Sequence, residues 1–238
     1  MEKLTFPCKV VGVETKGKFM WWTLSHQSHV IYMWCTYGMS GQWTPRSDKH
    51  AAFIFQFNSS GSKITRDYQH IYFVDTRHFG TIKFIDNEDL HLEKLNSLGP
   101  DILSDVPMTA EIFAQRILGK PSRPISEILM DQSCISGVGN YIRAEALWMS
   151  GISPWKTPLE MKSEEIVRLY DSLHSIAKNS YESGGATIHT YTGVDGSRGS
   201  FSERFVVYGR KIDAEGKEVK REIDSGGRTI HWSPARQT

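Results

Sequence analysis

Cysteine is scarce in this chain. Its three cysteines, Cys8, Cys35 and Cys134, lie far apart, and no Cys-x-x-Cys occurs in the 238 residues. That spacing excludes a disulfide framework and a cysteine-built zinc site, and it points to a reducing compartment. Long apolar runs are missing too. No stretch reaches the roughly 18 uncharged apolar residues of a membrane-spanning helix, so no membrane partner is expected. The opening Met1-Glu2-Lys3-Leu4-Thr5-Phe6-Pro7 lacks the plan of a secretory signal, so the expected setting is intracellular (nucleus, cytoplasm or viral factory) rather than secreted. The chain also lacks excess charge: 28 basic against 27 acidic residues leave a net +1. This speaks against an indiscriminate polyanion binder but leaves room for a focused basic groove. What is present is core material, with 39% apolar residues, 7 Trp, 9 Tyr and 11 Phe, enough for one large domain or two small ones.

Residues 9–86 read as β-rich. Val30–Cys35, Ala51–Phe57 and Ile71–Val74 are aromatic and β-branched runs separated by the turn segments 38–41, 58–61 and 77–80, a spacing that suggests a sandwich or barrel. The runs are almost continuously apolar, so their faces are hard to assign. Residues 109–183 read as helical. Thr109 is a plausible N-cap for Ala110–Ile117, and Ser163 for a longer helix. In that helix Ile166, Leu169, Tyr170, Leu173, Ile176 and Ala177 form one apolar stripe, read as core packing. Residues 184–202 form a long Gly- and Ser-rich loop, a length that is usually functional or disordered. After it come short β-prone pieces, Phe205–Tyr208 and Thr229–Trp232, around a charged hairpin at Asp213–Arg221. There is no internal repeat and no low-complexity tract.

The most informative stretch is residues 129–148. An apolar helix end, Ile128-Leu129-Met130, leads into a turn with Gly137 and Gly139, and Asn140 stands where a second helix must begin. Glycines allow close backbone approach, and a helix N-terminus offers unpaired N–H donors and a positive dipole end. Together they form a phosphate seat. This stretch resembles the helix–two-turn–helix of the formamidopyrimidine-DNA glycosylase/endonuclease VIII family. Further segments follow in the family's order: Thr15–Phe19, which carries the counterpart of an active-site lysine, Lys18; Tyr37–Gly41 with Met39; Asp48–His50; Asp75–Gly80 with Arg77 and Phe79; Ser183–Thr187; Val207–Arg210; and Gly227–Thr229 with Arg228.

The resemblance implies an α+β fold: a truncated N-terminal β-sandwich, a helical helix–two-turn–helix domain and a C-terminal zincless β-hairpin finger, with boundaries at 1–100, 101–200 and 201–238. It implies a DNA repair glycosylase with AP lyase activity on oxidised bases, pyrimidines foremost. The expected partner is damaged double- or single-stranded DNA, held by a monomer without a cofactor. Such an enzyme must extrude the nucleotide it acts on and fill the gap left behind. Met39, Arg77 and Phe79 suit this role as a flexible wedge, a guanidinium for the orphaned base and a stacking ring. Alone, Met39 and Phe79 would read as core and Arg77 as surface; their Gly-flanked loops reverse this. Lys18, Asn140 and Arg228 would surround a phosphate, with His50 and one of Lys120 or Arg123 extending the track. Lys18 and Arg228 are the catalytic candidates for the strand-nicking steps. With its pKa lowered, as by the nearby Lys16, Lys18 would also be able to form an imine with an abasic aldehyde.

Two departures from the family stand out. The family's finger holds zinc through two Cys-x-x-Cys pairs, whose places here read Ile212-Asp213-Ala214-Glu215 and Ser233-Pro234-Ala235-Arg236, so no metal is expected. The family also begins Pro-Glu, the amine and the acid–base of its chemistry. Here Met1-Glu2-Lys3 stands at the start, and that segment is expected to be missing. A DNA-binding protein with impaired chemistry is therefore the alternative expectation.

Overall fold

The computed structural model describes residues 7–58, 69–104, 108–186 and 199–238. The sequence readings on residues 1–6, on the turn at 59–61 and on 187–198 of the Gly-rich loop lie outside the described residues. The chain divides into two compact units. One comprises Met1–Thr15, Phe19–His91 and Ser183–Ser202; the other comprises Lys16–Lys18, Leu92–Glu182 and Glu203–Thr238.

The first unit is a two-layer β structure. Strands β1 (Lys9–Lys16), β2 (Phe19–His26), β3 (His29–Thr36) and β7 (Thr81–Ile85) form a sheet in the order β1-β2-β3-β7, while β4 (Gly41–Thr44), β5 (Ala51–Gln56) and β6 (His70–Asp75) form a second in the order β4-β6-β5. Alternate residues of a strand face opposite sides. Trp22 and Leu24 on β2, with Met33 and Cys35 on β3, bury against Trp43, Phe55 and Phe73 of the other sheet. The opposite face of β2 and β3 is covered too: Trp21 and Tyr32 pack on the His91 ring, with Tyr32 stacked at 3.8 Å, and the Trp34 indole donates to His91 Nδ1 at 3.0 Å. A sheet covered on both faces reads as a continuous apolar run, which is why alternation is weak in these strands. His91 belongs to α1 (Glu88–Asn96), capped by the Asn87 side chain, which accepts the Leu90 N–H at 3.0 Å.

The second unit is helical with a terminal hairpin. Helices α2 (Ala110–Leu118), α3 (Ile125–Met130), α4 (Asn140–Ser150) and α5 (Ser163–Glu182) enclose a core that includes Phe113, Ile128, Leu129, Leu147, Leu169 and Leu173. Thr109 caps α2 by accepting the Ile112 N–H, and the α5 stripe buries Ile166, Leu169, Leu173 and Ala177. At two places the outcome differs from the sequence reading. Ser163 is already inside α5; the start is closed by Glu165, which accepts the Lys162 N–H at 2.8 Å. Phe205–Tyr208 forms no strand, because the N–H groups of Val206, Val207 and Tyr208 all donate to the buried Glu145 carboxylate of α4, at 2.9, 3.0 and 2.7 Å. The paired hairpin is β8 (Lys220–Ile223) with β9 (Thr229–Trp232). It is preceded by a tight turn at Asp213–Lys217, closed by the Asp213 N–H to the Lys217 carbonyl at 2.8 Å.

Candidate nucleic-acid interface

In the second unit, three distant pieces of sequence meet around the turn between α3 and α4. Gly139 is the N-cap of α4, and Asn140 is its first residue. The first N–H groups of the helix therefore lack intrahelical acceptors and carry the positive end of its dipole. The turn is held from within by Gln132, whose Nε2 donates to the Met130 and Val138 carbonyls at 3.2 and 3.1 Å and whose Oε1 accepts the Gly137 N–H at 3.0 Å. Lys18 reaches the same place, donating through Nζ to the Val138 carbonyl at 2.7 Å. Two glycines make room for it. Gly17 has φ +59°, and a Cβ there would lie 2.5 Å from Gly137 N; at Gly139 a Cβ would lie 3.4 Å from Lys18 Nζ. The Gly17 N–H is anchored by Asp101 Oδ2 at 2.7 Å.

The third piece is the tip between β8 and β9. Arg228 is exposed there. Its N–H donates to Asp224 Oδ1 at 2.8 Å, and its carbonyl accepts the Asp224 N–H at 3.0 Å. Gly226 leaves space for the guanidinium, since a Cβ there would lie 2.9 Å from Arg228 Nη1, and Gly227 turns the chain at φ +75°. Asn140 joins the two pieces, its Nδ2 donating to the Thr229 carbonyl at 3.0 Å. Lys18 is solvent-accessible, yet its pKa falls from the ordinary lysine value to about 8. The protein packed round its ammonium is the main cause, followed by the positive charges of Arg228 and Arg143. Clustered cations of this kind are an unfavourable arrangement until an anion joins them.

In the first unit, the loops at 37–41 and 75–80 are fastened together by one carboxylate. Asp75 accepts from Ser40 Oγ at 2.5 Å and from the N–H groups of Arg77 and Gly80 at 3.3 and 2.6 Å. Burial raises the Asp75 pKa, but these donors outweigh it and hold the group below its ordinary value. Gly38, at φ +58°, admits Phe79, whose Cβ a side chain at 38 would meet at 2.7 Å. The fastened loops expose three side chains, with Arg77 against each of the other two: Arg77 Nη1 lies 3.4 Å from Met39 Sδ and its guanidinium 5.0 Å from the Phe79 ring centre. Met39 is 66% exposed and Phe79 56%. Exposure at this level costs apolar burial, so packing alone does not account for the pair. His50, in the same unit, has its backbone tied to Asp48 and Asp75.

Residues 98–192 match the family described as "Formamidopyrimidine-DNA glycosylase H2TH domain", and residues 3–82 match "Formamidopyrimidine-DNA glycosylase N-terminal domain". The chain is 30% identical over 236 residues to the formamidopyrimidine-DNA glycosylase of Thermus thermophilus, covering 96% of this chain and 82% of that protein. This chain belongs to the formamidopyrimidine-DNA glycosylase family. The crystal structure of the MutM (Fpg) protein from the same organism superposes with a TM-score of 0.83 at 28% identity, over 97% of this chain and 83% of that one. The glycosylase of Prochlorococcus marinus MIT 9215 is 33% identical over 169 residues, 68% of this chain, and the match spans 56% of that protein's length. The Lactococcus lactis Fpg in complex with abasic-site DNA shares the fold, with a TM-score of 0.81 at 23% identity over 97% of this chain and 83% of that one.

The finger of this family member is fastened by side chains. At the places of the family's cysteine pairs, Asp213 accepts from Trp148 Nε1 at 3.0 Å and from the N–H groups of Glu215 and Lys217 at 2.9 and 2.8 Å. The Ser233 N–H donates to Gln237 Oε1 at 2.7 Å, and Gln237 reaches the Ile152 carbonyl at 3.0 Å. Arg236 lies over the Trp148 ring at 4.1 Å and pairs with Glu215. These residues do not fit zinc: the two carboxylates are engaged elsewhere, and no group of His, Cys, Asp or Glu able to hold a metal occurs among the described residues.

Lys18, Asn140 and Arg228 are thus brought into one unit around one turn, and Met39, Arg77 and Phe79 into one cluster in the other. Arg123 lines the same cavity as Gln132, Asp224 and Arg228, but it and Lys120 are engaged by acidic groups. Both pair with Asp131, at 2.8 and 3.2 Å, and Arg123 also approaches Glu127 at 3.8 Å. Burial raises the Asp131 pKa, but Lys120 and Ser133 drive it well below the carboxylate range. Sequence reasoning missed Gln132, Arg143 and Asp224. The available signal was Arg143 and Glu145, two ionisable residues set among Ile142, Ala144, Ala146 and Leu147 in a helix that must bury that face.

Proposed function

We propose that this protein is a DNA repair glycosylase with AP lyase activity on oxidised bases, working as a monomer on damaged DNA. The observation that supports it most directly is the meeting of Lys18, the α4 N-terminus with Asn140, and Arg228 around one turn. A phosphate there would receive helix N–H groups, an amide N–H, a point charge and a planar fork of donors. The cluster Met39–Arg77–Phe79 suits the gap left by an extruded nucleotide: thioether and ring replace stacking, and the guanidinium bonds the unpaired partner base. His50 of the first unit is a further candidate contact to DNA, whereas Lys120 and Arg123 must first give up Asp131.

Lys18 and Arg228 are assigned to the steps after base release. With a pKa of about 8, Lys18 supplies free amine at mildly alkaline pH. That amine condenses with the aldehyde of an abasic site, losing water to give an imine. Borohydride should trap this adduct, and trapping that survives Lys18→Ala refutes the role.

The test is binding and cleavage of duplexes carrying oxidised pyrimidines, formamidopyrimidines or an abasic site. Asn140→Ala and Arg228→Ala should each weaken binding about tenfold, as expected for one charge-assisted contact, on undamaged and damaged sequence alike. The slope of log affinity on log salt should shrink by about one in Arg228→Ala. Full affinity in both variants refutes the clamp; binding without base release or nicking assigns the protein to lesion recognition alone.

A further inference from the structure

We propose that Arg143 and Asp224 are positioning residues, a buried pair that orients Asn140 and Arg228 as one phosphate-binding assembly; the inference rests on the clamp reading above. Arg143 has no exposed surface and Asp224 is 5% exposed. One guanidinium joins three parts of the second unit. Its Nη1 donates to Asp224 Oδ2 at 2.7 Å and to the Ser126 carbonyl, near the start of α3, at 3.2 Å; its Nη2 donates to Asn140 Oδ1 at 2.5 Å. Asp224 passes the constraint on. Its other oxygen accepts the Arg228 N–H, and its backbone N–H is bonded to the Arg228 carbonyl. Both faces of the Arg228 peptide segment are therefore fixed by a residue that Arg143 holds.

Stability alone is a poor reason for such a pair. Two charges removed from water are only just repaid by their attraction, and apolar residues of similar volume usually do as well. Fixed direction is what the pair adds. Arg143 occupies the Asn140 oxygen and the Thr229 carbonyl takes one of its amide hydrogens, so what remains for a ligand is the second amide hydrogen. Without Arg143 the amide is free to turn its oxygen outward, towards which a phosphate is repelled. Arg143 is also one of the two cations that lower the Lys18 pKa, so its guanidinium bears on Lys18 as well.

The test is a double-mutant cycle in the full chain, with a duplex carrying a stable abasic-site analogue as the probe. Arg143→Met combined with Asp224→Leu leaves no lone buried charge. This chain should fold and bind about tenfold more weakly. In its background Arg228→Ala should cost little more, because the two losses are coupled. A merely structural pair gives additive losses, and that result overturns the proposal, as does binding within twofold of the original chain. If the doubly neutral chain fails to fold, Arg143→Lys decides. A single ammonium cannot span Asp224 and Asn140 as the fork does, so binding should fall about tenfold while the melting temperature holds; undiminished binding overturns the proposal. Failure of the clamp reading looks different: there, Asn140→Ala and Arg228→Ala bind normally in the original chain.

Discussion

Replacing Glu145 should release the segment 205–208 from α4. The carboxylate is 2% exposed and accepts three backbone N–H groups at 2.7–3.0 Å. Glu145→Ala removes every acceptor at once. A buried donor left without a partner costs about 1–3 kcal/mol. The Val207 N–H is buried and takes the full cost, while those of Val206 and Tyr208 are half-buried and find water in part, about 1 kcal/mol each. Burial itself raises the Glu145 pKa, only partly offset by the three donors, so removing the charge returns some desolvation energy. The net expectation is a loss of about 3 kcal/mol, a melting shift of roughly 6–12 °C for a chain of this size. Glu145→Gln keeps one acceptor oxygen and should lose about half as much. Because the chain has two compact units, a global transition is a mixed measure, so the decisive assay is hydrogen exchange at the amides of Val206, Val207 and Tyr208. Exchange there should quicken about a hundredfold in Glu145→Ala, the counterpart of about 3 kcal/mol. Unchanged protection at these amides refutes the reasoning, whatever the melting temperature does.

Three further outcomes follow from the same structure. Asp213→Ala should loosen the finger by about 2–3 kcal/mol through the stranded Trp148 indole and turn amides, seen as a lower urea midpoint, whereas EDTA should leave the unsubstituted chain unmoved; a chelator-sensitive midpoint refutes side-chain fastening. His91 accepts from Trp34, and burial, partly opposed by Glu14 and Glu88, holds its pKa below the ordinary histidine value. Its stabilising contribution is therefore complete above the ordinary value near 6.5 and is lost as pH falls from there through the lower folded value; urea midpoints read by tryptophan fluorescence should drop across that window, and His91→Phe should flatten the drop. Gly17→Ala drives a Cβ into Gly137 N and forces an alanine to φ +59°, a cost of at least about 1–2 kcal/mol; an unchanged melting temperature and unchanged affinity for abasic-site duplex argue against the close approach.

Much of this was legible in the amino acids. The α3–turn–α4 boundary falls at Asn140 as the Gly-x-Gly-Asn spacing requires, and Thr109 and the α5 stripe behave as their local chemistry dictates. Three places were opaque, for physical reasons. Helix α1 has little apolar periodicity, although Asn87 followed by Glu88 and Asp89 is a helix start. Phe205–Tyr208 has strand-like side chains, but its backbone bonds go to a single distant carboxylate, which no local pattern announces. At the tip, the sequence shows Arg228 but not what aims it: Arg143 and Asp224 are 81 residues apart, and only folding reveals that the guanidinium of one donates to the carboxylate of the other.

The way the finger is fastened also bears on when this protein can work. A finger built on thiolate–zinc bonds is open to the oxidants that damage bases, because thiolates are the first protein groups to be oxidised. Here Asp213, Trp148, Arg236, Glu215 and Gln237 take that place, and the three cysteines all lie elsewhere, at 8, 35 and 134. The Arg228 tip is therefore carried on a support with no thiol to lose, and oxidants that attack thiolates leave that support its shape.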